Sequence, residues 1–190
     1  MKRRIAMVLC QLSTGVGGCE TQALRLAAAL QDRGHEVEIL TTRPRGAPSE
    51  ERLSGVRVRR LHNFGDRRVV WRLGIYRYAL AVGAELVRSR PDVVHAHQLF
   101  HSAVAAIASR PWHGRPVLVK AATAGAFGDV QQMKTGAAFP GCRPFLRVAL
   151  RADRIVAISE EIADELRGVG VTQDRIARIP NGVILPGEVV

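Results

Sequence analysis

Ile5-Ala6-Met7-Val8-Leu9-Cys10-Gln11-Leu12-Ser13-Thr14-Gly15-Val16-Gly17-Gly18-Cys19-Glu20 is an apolar run that breaks into a glycine-rich loop, and a helical pattern takes over near Thr21. Residues 5–10 have charge before them and polar groups after them, the pattern of a strand buried on both faces in the middle of a parallel sheet. A strand feeding a glycine loop that opens into a helix gathers free backbone N–H groups at a positive helix end, which suits an anion and above all a phosphate. Glycine serves there because a Cβ would hold the phosphate off the backbone and penalise left-handed dihedrals. The same glycines also suit a loop that only makes a tight strand-to-helix turn, so on their own they leave both readings open.

Outward from this stretch, Ala23, Leu24, Ala27, Ala28 and Leu30 recur at helical spacing over 21–31, and Gly34 stands where a helix C-terminus wants it. Residues 35–41 alternate as a second strand, completing a β-loop-α-β unit of the length a right-handed parallel crossover needs. Pro44, Gly46, Pro48, Glu50 and Glu51 give 42–55 the composition of an exposed loop, and 56–61 read as a strand nearer the sheet edge. The spacing predicts a long helix over 66–88. Val69, Leu73, Tyr76, Leu80, Ala84 and Val87 form one apolar line, with Trp71, Ile75, Tyr78 and Val82 beside it. Arg67, Arg68, Arg72 and Arg77 decorate its first half, which fits a core-packed helix with a solvated basic face first and an interfacial membrane helix second.

Further strands are expected at 91–97, 116–121, 153–158 and 175–179, with helices over 99–110, 143–150 and 160–167, the last capped by Ser159 with Glu160 and Glu161 in its first turn. Residues 122–140 show no clear period and read as a ligand-facing loop. Roughly seven strands alternating with helices make an α/β fold, a doubly wound, Rossmann-like parallel sheet in three α/β/α layers. One domain is expected over 1–182, with 183–190 leading away from it.

A chain of 190 residues with 47% hydrophobic and 24% charged residues has the makings of a single globular domain. Its net charge of +11 favours an acidic partner, such as an anionic membrane surface or a phosphorylated substrate, although arginine-rich codon usage yields the same excess. Nucleic acid is a poor candidate, because no recognition motif or interleaved aromatic series accompanies the charge. Cys10, Cys19 and Cys142 are odd in number and widely spaced, which indicates neither a zinc site nor a disulfide framework and fits a reducing cytoplasm. No signal peptide is visible, and no run approaches the ~18 apolar residues of a membrane span, so any membrane contact is expected to be peripheral.

Ligands of an open parallel sheet bind at the carboxyl ends of its strands. There the sequence places the Gly17-Gly18 loop, Thr41 to Arg43, His95, His97, and Lys120 to Asp129. His95 and His97 share a strand face, but no third metal ligand stands near them. Lys120, one of three lysines, ends an apolar run and fits a phosphate or sugar contact as well as a solvated strand end. A dinucleotide fingerprint begins at Gly15-x-Gly17, but Glu20 occupies its third glycine position, and Thr41-Thr42-Arg43 replaces the expected acid after the second strand. A Walker A loop fails for want of Gly-Lys-Ser/Thr.

Gly17-Gly18-Cys19-Glu20 with Leu26-Ala27-Ala28-Ala29-Leu30, followed by Gly34-His35-Glu36-Val37, resembles the opening of family 4 glycosyltransferases. The resemblance continues through Pro91-Asp92-Val93-Val94-His95-Ala96-His97, through Ala152-Asp153 to Ser159, and into Ile179-Pro180-Asn181-Gly182-Val183, so it covers nearly the whole chain. It implies the N-terminal half of a GT-B fold, with the acceptor bound on this half and most of the nucleotide-sugar on a C-terminal domain. It also implies metal-independent sugar transfer with retention, in which the nucleotide-sugar is a co-substrate and no cofactor is required. By the same resemblance Gly17 and Gly18 face the donor diphosphate. Glu20, His95, His97, Lys120, Thr123 and Asp129 are expected at the acceptor side or elsewhere in the cleft, with Lys120, Thr123 and Asp129 open to contact with acceptor or donor, and Asn181 is expected between the domains.

Two departures from the family pattern shape these expectations. Many members carry a histidine in the loop after the strand at 117–121, where this chain reads Lys120-Ala121-Ala122-Thr123-Ala124-Gly125, so no catalytic residue is assigned. The usual N-G-V-D reads Asn181-Gly182-Val183-Ile184, and the acidic motif and basic residues that grip the donor are not in the sequence. The expected activity is sugar transfer to a glycan or lipid-linked acceptor once a donor domain completes the site, with little activity from these residues alone. The competing reading is a non-catalytic module that binds a glycan or phosphorylated ligand.

Overall fold

In the computed structural model, which describes residues 1–12, 17–44, 46–61, 68–139 and 141–183 (side chains of 68–75 excepted), eight strands form one sheet. They are β1 (Arg4–Val8), β2 (Glu36–Thr42), β3 (Glu50–Leu53), β4 (Val56–Leu61), β5 (Val93–His97), β6 (Val117–Ala121), β7 (Arg154–Ala157) and β8 (Ile176–Arg178), in the order β3-β4-β2-β1-β5-β6-β7-β8. All neighbours are parallel except β3 and β4. From β1 the chain builds outward through β2 to β4, and α2 (Arg68–Ser89) carries it back to β5 on the other side of β1. The strand order therefore reverses between β1 and β5, the point at which a doubly wound sheet opens a crevice at its carboxyl ends.

The apolar run at 5–10 behaves as expected, although ladder pairing stops at Val8. Beyond it the backbone is held one group at a time. Leu9 N–H donates to Leu40 O (2.9 Å), Thr42 Oγ1 to Cys10 O (2.7 Å), Tyr78 OH to Leu9 O (2.8 Å) and Arg60 Nη1 to Leu12 O (3.0 Å). These partners let Leu9 and Leu12 stay buried after the strand has ended. Helix α1 (Gly18–Asp32) then starts three residues before the apolar periodicity does, and Gly34 (φ +84°) ends it as expected.

One expectation is corrected, and one left open is decided. Residues 42–55 are not simply an exposed loop, because 50–53 form β3, which makes β3 the edge strand and β4 its inner neighbour. The acidic residues that look like loop composition are cross-strand partners. Glu50 pairs with Arg57 (3.0 Å) and Arg59 (3.4 Å), and Glu51 with Arg60 (2.5 Å). On α2 the structure separates the two apolar lines, which the spacing alone leaves equivalent. Tyr78, Val82 and Leu86 are fully buried, whereas Tyr76, Leu80 and Val87 are 55%, 59% and 44% exposed. The Tyr78 hydroxyl has Leu9 O to bond, and Gly83 admits α4 (Arg110–His113), since a Cβ there would lie 2.8 Å from Ser109 Cβ and 3.2 Å from the Trp112 ring. Arg67 lies outside the described residues, and Arg68 and Arg72 fall in the first turns of α2, where side chains are not described.

The stretch without a period, 122–140, holds a 3-10 turn (Gly125–Phe127) and α5 (Asp129–Thr135). The helix predicted over 99–110 is α3 (His101–Ala108), broken before α4. Helices α6 (Arg143–Ala149) and α7 (Glu160–Gly168) follow, and Ser159 Oγ accepts from Ile162 N–H (3.3 Å) as its cap. One core joins α1 to Met7, Val37, Ile39 and Val58; the other joins α2, α3, α5 and α6 to Ala6, Val8, Val94, Ala96 and Val119. Both faces of the sheet are thus covered, and the carboxyl ends of its strands remain open for a site. Among the described residues no helix is long and apolar enough to cross a membrane.

Candidate functional site

At the switch point a cleft of about 700 Å³ brings together Gly17, Gly18, Glu20, Lys120, Thr123 and Asn181, residues drawn from distant parts of the sequence. Gly17 is the N-cap of α1 at φ +111°, and its carbonyl accepts from Thr21 N–H (3.3 Å) and Thr21 Oγ1 (3.1 Å). A Cβ on Gly17 would lie 2.0 Å from Glu20 Oε2. Glu20 is the third helical residue, and its carboxylate folds back over the helix start, where the positive end of the dipole favours it. That placement gives Glu20 a physical reason to stand where a dinucleotide fold has glycine. Gly18 has no atom within 4 Å of its Cβ position and so presents bare backbone to the cleft. Gly15 lies outside the described residues.

Lys120 reaches the same cleft from β6. It is 9% exposed and donates from Nζ to Asn181 Oδ1 (2.5 Å), while burial holds its pKa below the ordinary lysine value. Gln22 Nε2 donates to Gly182 O (3.1 Å), so 181–182 are fastened to the cleft from two sides. Register puts His97 beside Lys120, and the His95 and His97 rings lie 4.4 Å apart between centroids. Burial, then the Lys120 charge, pushes His95 down to about 4. Burial, then His95 and Lys120, holds His97 well below its ordinary value. Both rings are therefore neutral near pH 7. Neither His97 nitrogen has a hydrogen-bond partner among the described residues, and His97 lines a pocket of about 180 Å³ with Cys10, Cys19, Glu20, Gln98 and His101. His95 is buried beneath it and does not line the cleft.

Asp129 is placed differently from the expected cleft contact. It is fully buried, and its carboxylate accepts from Thr123 Oγ1 (2.5 Å), Leu99 N–H (3.1 Å) and Ala122 N–H (3.3 Å). Its part is to fix the loop that presents Thr123. Thr41 is buried, and Arg43 donates to Ala47 O (2.9 Å); neither lines the cleft. Sequence reasoning missed Gln22, Arg25 and Gln98 as lining residues. Gln98 sits at φ +67° just after β5, and no local signal marks it. A different hollow, of about 620 Å³, opens at the amino ends of the strands, but its arginines 57 and 88 are paired with Glu50 and Glu85.

Burial and the Glu20 charge push Cys10 up to about 12, and burial and Glu20 outweigh Lys120 in raising Cys19 to about 11. Both are neutral thiols and poor nucleophiles near pH 7. No group of three or more histidine, cysteine or acidic side chains among the described residues is placed to hold a metal ion. The cleft thus offers bare backbone at a helix start and two cations, Lys120 and Arg25, to an anion, with a neutral imidazole nearby that can both donate and accept with a hydroxyl.

The sequence matches the family model for Glycosyltransferase Family 4 over residues 16–185, whereas no curated protein matches it. Among solved structures, sucrose-phosphate synthase from Thermosynechococcus elongatus superposes with a TM-score of 0.75 at 18% identity, over 95% of this chain and 48% of that one. Anabaena HepE in complex with UDP-glucose gives 0.64 at 16% identity, over 96% and 44%. The catalytic domain of starch synthase IV from Arabidopsis thaliana, bound to ADP and acarbose, gives 0.67 at 14%, over 96% and 52%. The chain spans about half the length of each of these three. At such identities the likeness concerns the fold, and it agrees with the family match. The chain belongs to glycosyltransferase family 4, with the fold of the N-terminal, Rossmann-like half of a GT-B protein.

Proposed function

We propose that this domain is the acceptor-side half of a retaining glycosyltransferase that moves a sugar from a nucleotide-sugar to a glycan or lipid-linked acceptor. The observation that carries the reading is the convergence of Gly17, Gly18, Lys120, Thr123 and Asn181 on one cleft at the switch point of a family 4 domain. Bare backbone at the start of α1 faces the position in which the donor diphosphate gains charge as the glycosidic bond breaks, which is stabilisation by preorganised dipoles. The rest of the donor is held by a second domain, supplied by a longer chain or by another chain, and transfer is negligible without it. That HepE was solved with UDP-glucose and starch synthase IV with ADP supports a nucleotide-bearing donor.

Joined to a family 4 donor domain, the protein is expected to consume a UDP- or GDP-sugar. Gly17→Ala should lower kcat at least tenfold, because alanine at φ +111° costs about 1–3 kcal/mol of strain and displaces the Glu20 carboxylate. If the joined form binds glycan saturably but never turns over a nucleotide-sugar, the domain is a binding module instead.

The acceptor reading extends to an anionic membrane surface. Tyr76, Leu80 and Val87 form an exposed stripe on α2, Trp112 on α4 is 61% exposed, and the chain carries a net charge of +11. Flotation with vesicles containing phosphatidylglycerol should fall with salt and fall several-fold in Leu80→Gln or Trp112→Gln. Equal flotation with neutral vesicles contradicts the electrostatic part of this reading.

A further inference from the structure

Lys120 is an ammonium ion taken most of the way out of water, and its one hydrogen-bond partner among the described residues, Asn181 Oδ1, is neutral. No carboxylate forms an ion pair with it among those residues: Asp129 spends its oxygens on Thr123, Leu99 and Ala122, and Glu20 folds over Gly17. A buried charge held by a neutral amide is under-compensated, and an anion is the partner that corrects this. Lysine suits phosphate as a compact point charge. The charged groups that share its cleft are Glu20 and Arg25, so an anion at Gly17 and Gly18 meets two cations and one carboxylate. A second, independent observation points to the rest of the ligand. His97 is 1% exposed with both ring nitrogens unpartnered among the described residues, and the pocket it lines shares Cys19, Glu20 and Gln98 with the cleft. A neutral imidazole so placed matches a hydroxyl, and a hydroxyl beside a phosphate is the pattern of a sugar joined to phosphate.

We propose that Lys120 is an exchangeable phosphate ligand: its ammonium group leaves Asn181 for the phosphate of a ligand held at Gly17 and Gly18, and this exchange loosens 181–182 from the cleft wall. Before exchange two hydrogen bonds among the described residues hold that segment, Lys120 to Asn181 and Gln22 to Gly182. After it the second remains and the first is lost, so phosphate binding is linked to the freedom of 181–182 beyond β8. The proposal rests on the cleft being a phosphate site, as the glycosyl-transfer reading requires. It names the residue that supplies the charge and the contact that competes with it.

The experiment is a calorimetric titration of the 190-residue chain with inorganic pyrophosphate, which needs no turnover. Lys120→Met should weaken binding about tenfold or more, the worth of one charge-assisted hydrogen bond. Asn181→Ala should tighten it about two- to tenfold, because a competing hydrogen bond is gone. The double variant should bind no better than Lys120→Met alone, and amide exchange at Ile179, whose N–H donates to Ala157 O just before that segment, should quicken when pyrophosphate is added to the wild type. Melting curves identify any variant that has not folded; for such a variant Lys120→Arg, which keeps the charge, should retain binding. If Lys120→Met weakens binding while Asn181→Ala leaves it unchanged or weaker, the exchange is overturned and the phosphate site stands. Unchanged affinity in Lys120→Met overturns the role of Lys120. No binding by the wild type overturns the proposal, while the transfer reading is still judged by nucleotide-sugar turnover.

Discussion

Acidification from about pH 7 toward pH 4 is expected to destabilise the domain by several kcal/mol, through histidines that fold in the neutral form. His95 and His101 are each pushed from 6.5 to about 4, chiefly by burial, and burial also holds His97 well below its ordinary value. For a group whose folded pKa is depressed, the unfolded chain binds more protons between the two values. Stability is therefore full above pH 6.5 and falls with pH through that window. One such histidine is worth on the order of 3 kcal/mol across it, against about 5–15 kcal/mol for a whole domain. Glu85 and Asp129 act in the opposite sense, since burial raises both, so protonation eases their burial as pH falls. Asp92 and Asp153 are lowered and lose their contribution only below the ordinary aspartate range. Urea midpoints measured from pH 7 to pH 4.5 should fall steadily, and His95→Leu should make the slope shallower by about one proton. A midpoint that stays flat or rises on acidification would show that these rings are not buried neutral.

The second large effect concerns Asp129, which no substrate is expected to touch. Asp129→Ala removes the acceptor for Leu99 N–H, Ala122 N–H and the Thr123 hydroxyl in a fully buried site. Each stranded donor costs about 1–3 kcal/mol, so the loss should be about 3 kcal/mol or more, with faster amide exchange at Leu99 and Ala122. Asp129→Asn should cost less. Its carbonyl oxygen can still accept from the two backbone groups while its amide donates to Thr123 Oγ1, which can turn to accept. This pair separates hydrogen-bond acceptance from charge. If Asp129→Ala unfolds within 1 kcal/mol of the wild type, the loop at 122–128 is held by something other than this carboxylate.

Much of this domain was legible because the signals were local. The apolar run at 5–10, the helical spacing after Thr21 and the Gly34 stop each concern neighbours in sequence, and they sufficed to announce a parallel α/β sheet. What was misread depended on partners far along the chain. Glu50 and Glu51 looked like loop residues until Arg57, Arg59 and Arg60 stood across from them. The two apolar lines of α2 were indistinguishable in sequence, and the burial of Tyr78 was decided by a carbonyl 69 residues away.

The same division runs through the glycine loop and its surroundings. By itself the sequence determined that a strand would deliver bare glycine backbone to a helix start, because chain connectivity and the absence of a Cβ require nothing else of the fold. Only the tertiary structure decided which charges meet there. The switch in strand order between β1 and β5 and the register of β5 with β6 bring His97 and Lys120 beside that helix start, and Lys120 binds Asn181 61 residues further on. Desolvation and Coulomb energy depend on distance through space, so neither the neutral state of His97 nor the under-compensated charge on Lys120 could be set by position along the chain.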